Sequence, residues 1–189
     1  MNENFRNELE KILIEGNIEE NIEFIKKIIP EITYSIGFEQ KHPHHNLDVW
    51  GHTLGAMKNI EGNDMEVKMA VLLHDIGKPF SYQDEEVRHF HGHPEVSAKM
   101  AKKILNRLGY DEKFIDNVCY LVKMHDTIID VNNLDNTYEM IMKRLQVQYA
   151  DAKAHAPEKI EKRVKFLDNI AKQLKEIEVI REWYNKNGR

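Results

Sequence analysis

Cysteine is almost missing from this chain: Cys119 is the only one, so no internal disulfide can staple the fold. It lies in an apolar helical run, where a buried, unreactive thiol is the expected state. A disulfide-free chain fits a reducing compartment, and the cytoplasm is the expected location. No stretch approaches the roughly 18 consecutive apolar residues of a membrane span. The N-terminal MNENFRNELEKILIEG lacks the cationic and apolar regions of a signal peptide, so no membrane partner is expected. A surplus of basic residues is absent as well. The 27 Lys and Arg against 32 Asp and Glu leave a formal net charge of -5, which removes any global electrostatic pull toward nucleic acid. Repeats, low-complexity tracts and Gly/Ser linkers are also lacking. For 189 residues the expected organisation is one domain, 1–189, with its centre at about 28–155, helices before it and a long helix at its C-terminal end.

What is present is helical periodicity. Apolar residues recur at three- and four-residue spacing nearly throughout, so the expected class is all-α, a compact helical bundle. Helices are predicted at about 3–15, 18–35, 48–60, 64–76, 94–108, 112–125, 137–153 and 157–185. Pro94 suits a helix start, Gly109 a helix end, and Asp111 can cap the next helix. Met140, Ile141 and Leu145 read as core packing. Two polar segments, Phe80 to His93 and Asp126 to Asn136, are predicted to be irregular and to wall a site.

Histidine is abundant, with ten in all and most of them between His42 and His93. Several fall where a core residue belongs. Val67, Ala70, Val71 and His74 share one helical stripe, and Val118, Leu121, Val122 and His125 repeat the pattern. Val49, His52, Ala56 and Ile60 share a face, and Asp151 lies one turn beyond Val147. A lone histidine on an apolar face is usually a satisfied core residue. Four helices each directing an imidazole or carboxylate inward call for common compensation, and a divalent cation offsets their desolvation best. Nitrogen and oxygen ligands without thiolate favour Mn, Fe, Co, Ni or Zn over Ca.

The ordered segments HPHHNLDVWGHTL, AVLLHDIGKP, RHFHGHPEVSAKMAKKILNRLG, LVKMHD and VQYADAKAH resemble the HD-domain superfamily of metal-dependent phosphohydrolases. The similarity is greatest to the HD region of bacterial tRNA nucleotidyltransferases and their stand-alone relatives, over about residues 28–185. The resemblance implies an HD-type helical bundle. It implies His52, His74, Asp75 and Asp151 as ligands of a first metal, with Asp75 bridging to a second ion held by His93 and His125. It further implies Lys78 as a contact to substrate phosphate, with Arg88 as a second cationic contact and His45 at the mouth of the site. His42 and His44 are assigned to solvent or turn positions, His89 and His91 to the loop before His93, and His155 to the surface. Gly51 stands where many relatives have a glutamate, so carboxylate support for His52 is not expected. The first 30 residues contain neither a Gly-Ser turn nor a paired-aspartate strand, so CCA addition is not expected of this chain by itself.

The function so implied is metal-dependent hydrolysis of a phosphomonoester or phosphodiester, a nucleotide or cyclic nucleotide, with one or two ions. Asp75 would orient the water and Lys78 offset developing charge. The alternative is an HD fold kept as a non-catalytic nucleotide-binding, RNA-binding or regulatory module. Its support lies in the basic sets Lys99, Lys102, Lys103, Arg107 and Lys159, Lys162, Arg163, Lys165, which are interleaved with acids. The end helices offer a surface for a homodimer.

Overall fold

Four helices begin on a side chain that satisfies their leading N–H groups. Asp48 accepts from Gly51 N at 2.6 Å, Asp64 from Glu66 N and Val67 N at 2.9 and 3.1 Å, Asp111 from Phe114 N at 3.0 Å, and Thr137 from Met140 N at 3.3 Å. Each such cap contributes about 1 kcal/mol. Gly109, at φ 81°, closes another helix in the left-handed conformation. The computed structural model describes residues 2–42, 46–83 and 87–187. Among them the helices are α1 Asn2–Glu15, α2 Ile22–Ile28, α3 Val49–Lys58, α4 Met65–Leu73, α5 His93–Leu108, α6 Glu112–Met124, α7 Tyr138–Lys153 and α8 Pro157–Asn187. Short 3-10 turns occupy Pro30–Tyr34 and Lys78–Phe80. The described residues form no strand beyond two isolated bridges, Glu39 to Asp48 and Gln83 to His89, so the fold is all-α.

Two boundaries depart from the periodicity. The helix expected over 18–35 is split, because Pro30 lacks an N–H and forces Ile29 out of the helical region, to φ -128° and ψ 71°. The helix expected to run to 76 stops at Leu73, and the chain turns through Asp75, whose carbonyl accepts from Lys78 N at 3.0 Å. That early stop turns Asp75 into the centre of the fold.

α4 is the axial element. Every residue from Val67 to Leu73 is buried, and the helix packs against α3, α6 and α7. Burying each Val or Leu side chain there contributes roughly 1.5 to 3 kcal/mol. α5 lies along α6, and α8 covers α7 through a second apolar cluster that includes Leu145, Leu167, Ile170 and Leu174. Gly77 lets the turn after α4 press onto the start of α5. A Cβ there would stand 2.6 Å from Ser97 N, and Gly77 N donates to Ser97 Oγ at 2.9 Å. None of the described helices is long and apolar enough to cross a membrane.

α5 is also clamped to the first 3-10 turn. Arg107 donates to both Glu31 oxygens, at 2.9 and 2.7 Å. Burial raises the Glu31 pKa, but the hydrogen bonds and charge of Arg107 outweigh it and leave the carboxyl below its ordinary 4.5. A carboxyl lowered in the folded state stabilises above its unfolded pKa and loses that contribution as pH falls through the folded value. Both groups are partly exposed, so the pair contributes only about 0.5 kcal/mol. Glu31→Gln should therefore lower the urea midpoint slightly at pH 7, and the difference from wild type should close as the pH is taken down toward 3.

Candidate metal centre

Five helix ends or faces deliver polar side chains to one buried point. α3 contributes His52 from its inner face, between buried Val49 and Ala56. His74 and His125 each follow directly on the last residue of a helix, α4 and α6, and His93 is the first residue of α5. α7 contributes Asp151 near its C-terminal end.

The imidazoles are fixed by backbone carbonyls. His74 Nδ1 lies 2.7 Å from Val71 O, His93 Nδ1 2.9 Å from Phe90 O and His125 Nδ1 2.7 Å from Val122 O. Val71 and Val122 are in last turns, where carbonyls have no intrahelical partner, so each helix end orients its own histidine. A carbonyl only accepts, so each Nδ1 carries the proton and each Nε2 faces the centre. His52 follows the same rule through Ala154 O at 3.2 Å. Gly51 itself fits the cap, since a Cβ there would meet Asp48 Oδ1 at 2.8 Å.

Asp75 lies between two sets of nitrogens and is 1% exposed. Its Oδ2 is 3.3 Å from His74 Nε2 and 3.6 Å from His52 Nε2, and its Oδ1 is 3.2 Å from His93 Nε2 and 3.8 Å from His125 Nε2. Asp151 Oδ1 completes the first set, 2.9 Å from His52 Nε2. The ligand atoms of His52, His74 and Asp151 lie within 4.8 Å of one another, as do those of Asp75, His93 and His125. Neither Asp75 oxygen meets a hydrogen-bond donor in aligned geometry, although Lys78 Nζ is 2.7 Å from Oδ2. Two buried carboxylate oxygens without donors cost free energy that a cation would offset. Ligands about 2.1 Å from an ion stand about 3.0 to 3.4 Å apart, and the contacts of 2.9, 3.2 and 3.3 Å fall close to that range. The donor set therefore fits one or two divalent ions.

Electrostatics agree with that fit. Burial opposes ionisation of Asp75 and Asp151, but His74 and Lys78 around the first, and His52 and His74 around the second, hold both carboxyls well below their usual range. Burial likewise opposes charge on His74, yet Asp75 and Asp151 raise it to about 10. His125 goes the other way, to about 3, through burial and the neighbouring His74 charge. It is neutral at physiological pH, the form that ligates. A cation binding at His74 must displace a proton.

The centre forms the floor of a cleft of about 430 Å³. Lys78 and Arg88 both line it. Lys78 is only 4% exposed and also donates to Gln40 Oε1 at 2.8 Å. Arg88 lies over the Phe38 and Tyr82 rings, 4.8 and 5.0 Å from their centroids, and donates to Glu39 O. His45 lies outside the described residues. His155 corrects the surface assignment. It is 7% exposed, because its Nδ1 bonds Asp151 O at 2.8 Å and its ring stands edge-on to His52 at 5.3 Å. His155 lies beyond the end of α7, so helical spacing does not fix its direction.

Three supports have no sequence signal. Arg144, 2% exposed, donates to Met124 O, Thr127 O and Ile128 O at 3.1, 2.6 and 3.1 Å, and so holds the chain that carries His125. Gln148 joins it at Thr127 O, 2.6 Å away. Arg163 of α8 reaches Asp151 Oδ2 at 3.3 Å.

A family model described as the HD domain matches residues 44–173, which include all six ligand candidates. The chain belongs to the HD-domain family. HD-domain relatives among characterised proteins include the CC-adding tRNA nucleotidyltransferase of Thermus thermophilus, 29% identical over 65% of this chain and 31% of that protein. The A-adding tRNA nucleotidyltransferase of Deinococcus radiodurans is 35% identical over 51% of this chain and 24% of its own length. A multifunctional CCA protein of Shewanella denitrificans is 27% identical over 61% and 27%. The HD chain thus spans between about a quarter and a third of the relatives it matches.

Because the HD centre is formed only in the folded chain, a cation that fits it stabilises the fold. Manganese at about 100 times its dissociation constant adds about 2.7 kcal/mol, or roughly 5 to 10 °C in melting temperature for a chain of this size. Differential scanning calorimetry should show this rise in wild type and its loss in Asp75→Ala.

Proposed function

We propose that the protein is a metal-dependent phosphohydrolase acting on a phosphomonoester or phosphodiester, with a nucleotide or cyclic nucleotide as substrate. The observation that carries this reading is the buried Asp75 carboxylate, whose two oxygens face two histidine sets at the floor of a cleft that also holds Lys78 and Arg88. Relatives named for tRNA and nucleotidyl transfer favour a nucleotide over other phosphate esters.

What a divalent cation supplies at such a centre is Lewis acidity, which polarises a phosphoryl oxygen and acidifies water. His52, His74, Asp75 and Asp151 would hold one ion, and His93 and His125 with Asp75 a second. The remaining work falls to the protein. Asp75 accepts a hydrogen bond from the attacking water and keeps it in line with phosphorus. Lys78, already beside Asp75, adds positive charge where the transition state gains negative charge on the phosphoryl oxygens. Arg88 is pre-positioned by its two aromatic neighbours, so it offers a fixed donor plane toward the same anion. Burial of Asp75 and Lys78 raises the value of these two charges by lowering the local dielectric.

Complete retention of the ligand candidates and Lys78 weighs against a module that only binds. The test is elemental analysis of the purified protein, followed by phosphatase and phosphodiesterase assays with Mn, Co or Ni. Asp75→Ala should lower kcat by about 10³-fold or more, and Lys78→Met by about 10²-fold. Turnover unchanged in Asp75→Ala would remove the role given to that carboxylate. Full metal occupancy without turnover of any substrate would point to a regulatory or binding module.

A further inference from the structure

Beside the metal cleft lies a second one of about 450 Å³, between the segment that follows α6 and the first half of α8. His125, Asp126, Thr127 and Arg163 line both, so the two are continuous. Their chemistry differs. In the second, Ile128 and Phe166 present apolar surface and are 69% and 46% exposed, over a floor that includes the buried Leu167. Lys159 and Lys162 stand at its edge, and among the described residues neither forms an ion pair. Arg163 marks the boundary with the metal centre, 3.3 Å from Asp151 Oδ2 and 3.8 Å from Asp126 Oδ1. The basic set of α8 is therefore divided. Lys165 is turned to Glu161 at 3.1 Å, whereas the other three members converge on this cleft.

An exposed aromatic side chain beside lysines matches one ligand chemistry especially well: a base that stacks and a phosphate that pairs. We propose that this cleft is a subsite for a nucleotide unit covalently joined to the scissile phosphate. The preferred substrate is then a nucleotidyl phosphodiester, a dinucleotide or strand end, rather than a lone mononucleotide. Phe166 stacks the base of the flanking unit, Lys162 and Lys159 meet its phosphate, and Arg163 spans the link to the metal centre. The inference rests on reading that centre as a phosphoryl-hydrolysing site.

The experiment has a kinetic and a binding arm. With manganese, kcat/KM is measured for adenylyl-adenosine and for p-nitrophenyl phosphate in wild type, Phe166→Ala, Lys162→Ala and the control Lys165→Ala, with melting curves to verify folding. The preference for the dinucleotide should fall about tenfold in the first two variants and stay at the wild-type value in the control. Calorimetry with a hydrolysis-resistant phosphorothioate dinucleotide should show a matching tenfold weaker Kd in the same two. Equal affinity in all four proteins overturns the subsite. If no compound is turned over at full metal occupancy, the hydrolase reading fails, and the binding arm alone decides the subsite. A dimer that Phe166→Ala dissociates would give the cleft to a second copy of the chain and also overturn the proposal.

Discussion

The whole arrangement depends on how one carboxylate, Asp75, is tolerated in the interior. It is 1% exposed, its two oxygens lack aligned hydrogen-bond donors, and α4 stops early to put it there. An isolated charge in such a place would neutralise itself by taking up a proton. Here a ring of nitrogens from His52, His74, His93, His125 and Lys78 holds it ionised. The four histidines, with Asp75 and Asp151, form two clusters that could each hold a metal ion. Stability and the proposed chemistry thus meet in one cluster, and the helices are its supports.

Those supports act through backbone more than through side chains. The terminal carbonyls of α4 and α6 orient His74 and His125, and Phe90 O orients His93. Arg144 and Gln148 then hold the chain just beyond α6, while Gly77 allows α5 to close on the turn that bears Asp75. A helix end has unmet acceptors to offer, and a histidine placed there gains orientation without a dedicated partner residue. This is why the centre stands where α4, α5 and α6 begin or end.

Much of this was legible in the sequence because it is periodic. Seven of the eight expected helices lie within three residues of the observed ends, and His52, His74, His125 and Asp151 stood out as polar residues on apolar stripes. The expectations for His93 and for Asp75 between two sets rest on the family resemblance, since neither follows from spacing. The helix over 18–35 failed at Pro30, where a local backbone rule overrides an apolar pattern. His155 was misplaced because a residue beyond a helix end carries no reliable phase, and only the fold turns it under Asp151. Arg144 could not be found at all: its role is to meet carbonyls some 16 to 20 positions away, and a charged residue on a helix normally signals solvent.

On the proposed reading His52, His74, Asp75, His93, His125 and Asp151 enclose a divalent cation. The most direct test of that reading is X-ray diffraction from crystals grown with manganese, with data collected on both sides of the manganese absorption edge. The account predicts one or two anomalous peaks beside Asp75, within bonding distance of the histidine Nε2 atoms. Well-ordered imidazoles bonded only to carboxylates and water, with no anomalous signal between them at saturating manganese, would contradict it.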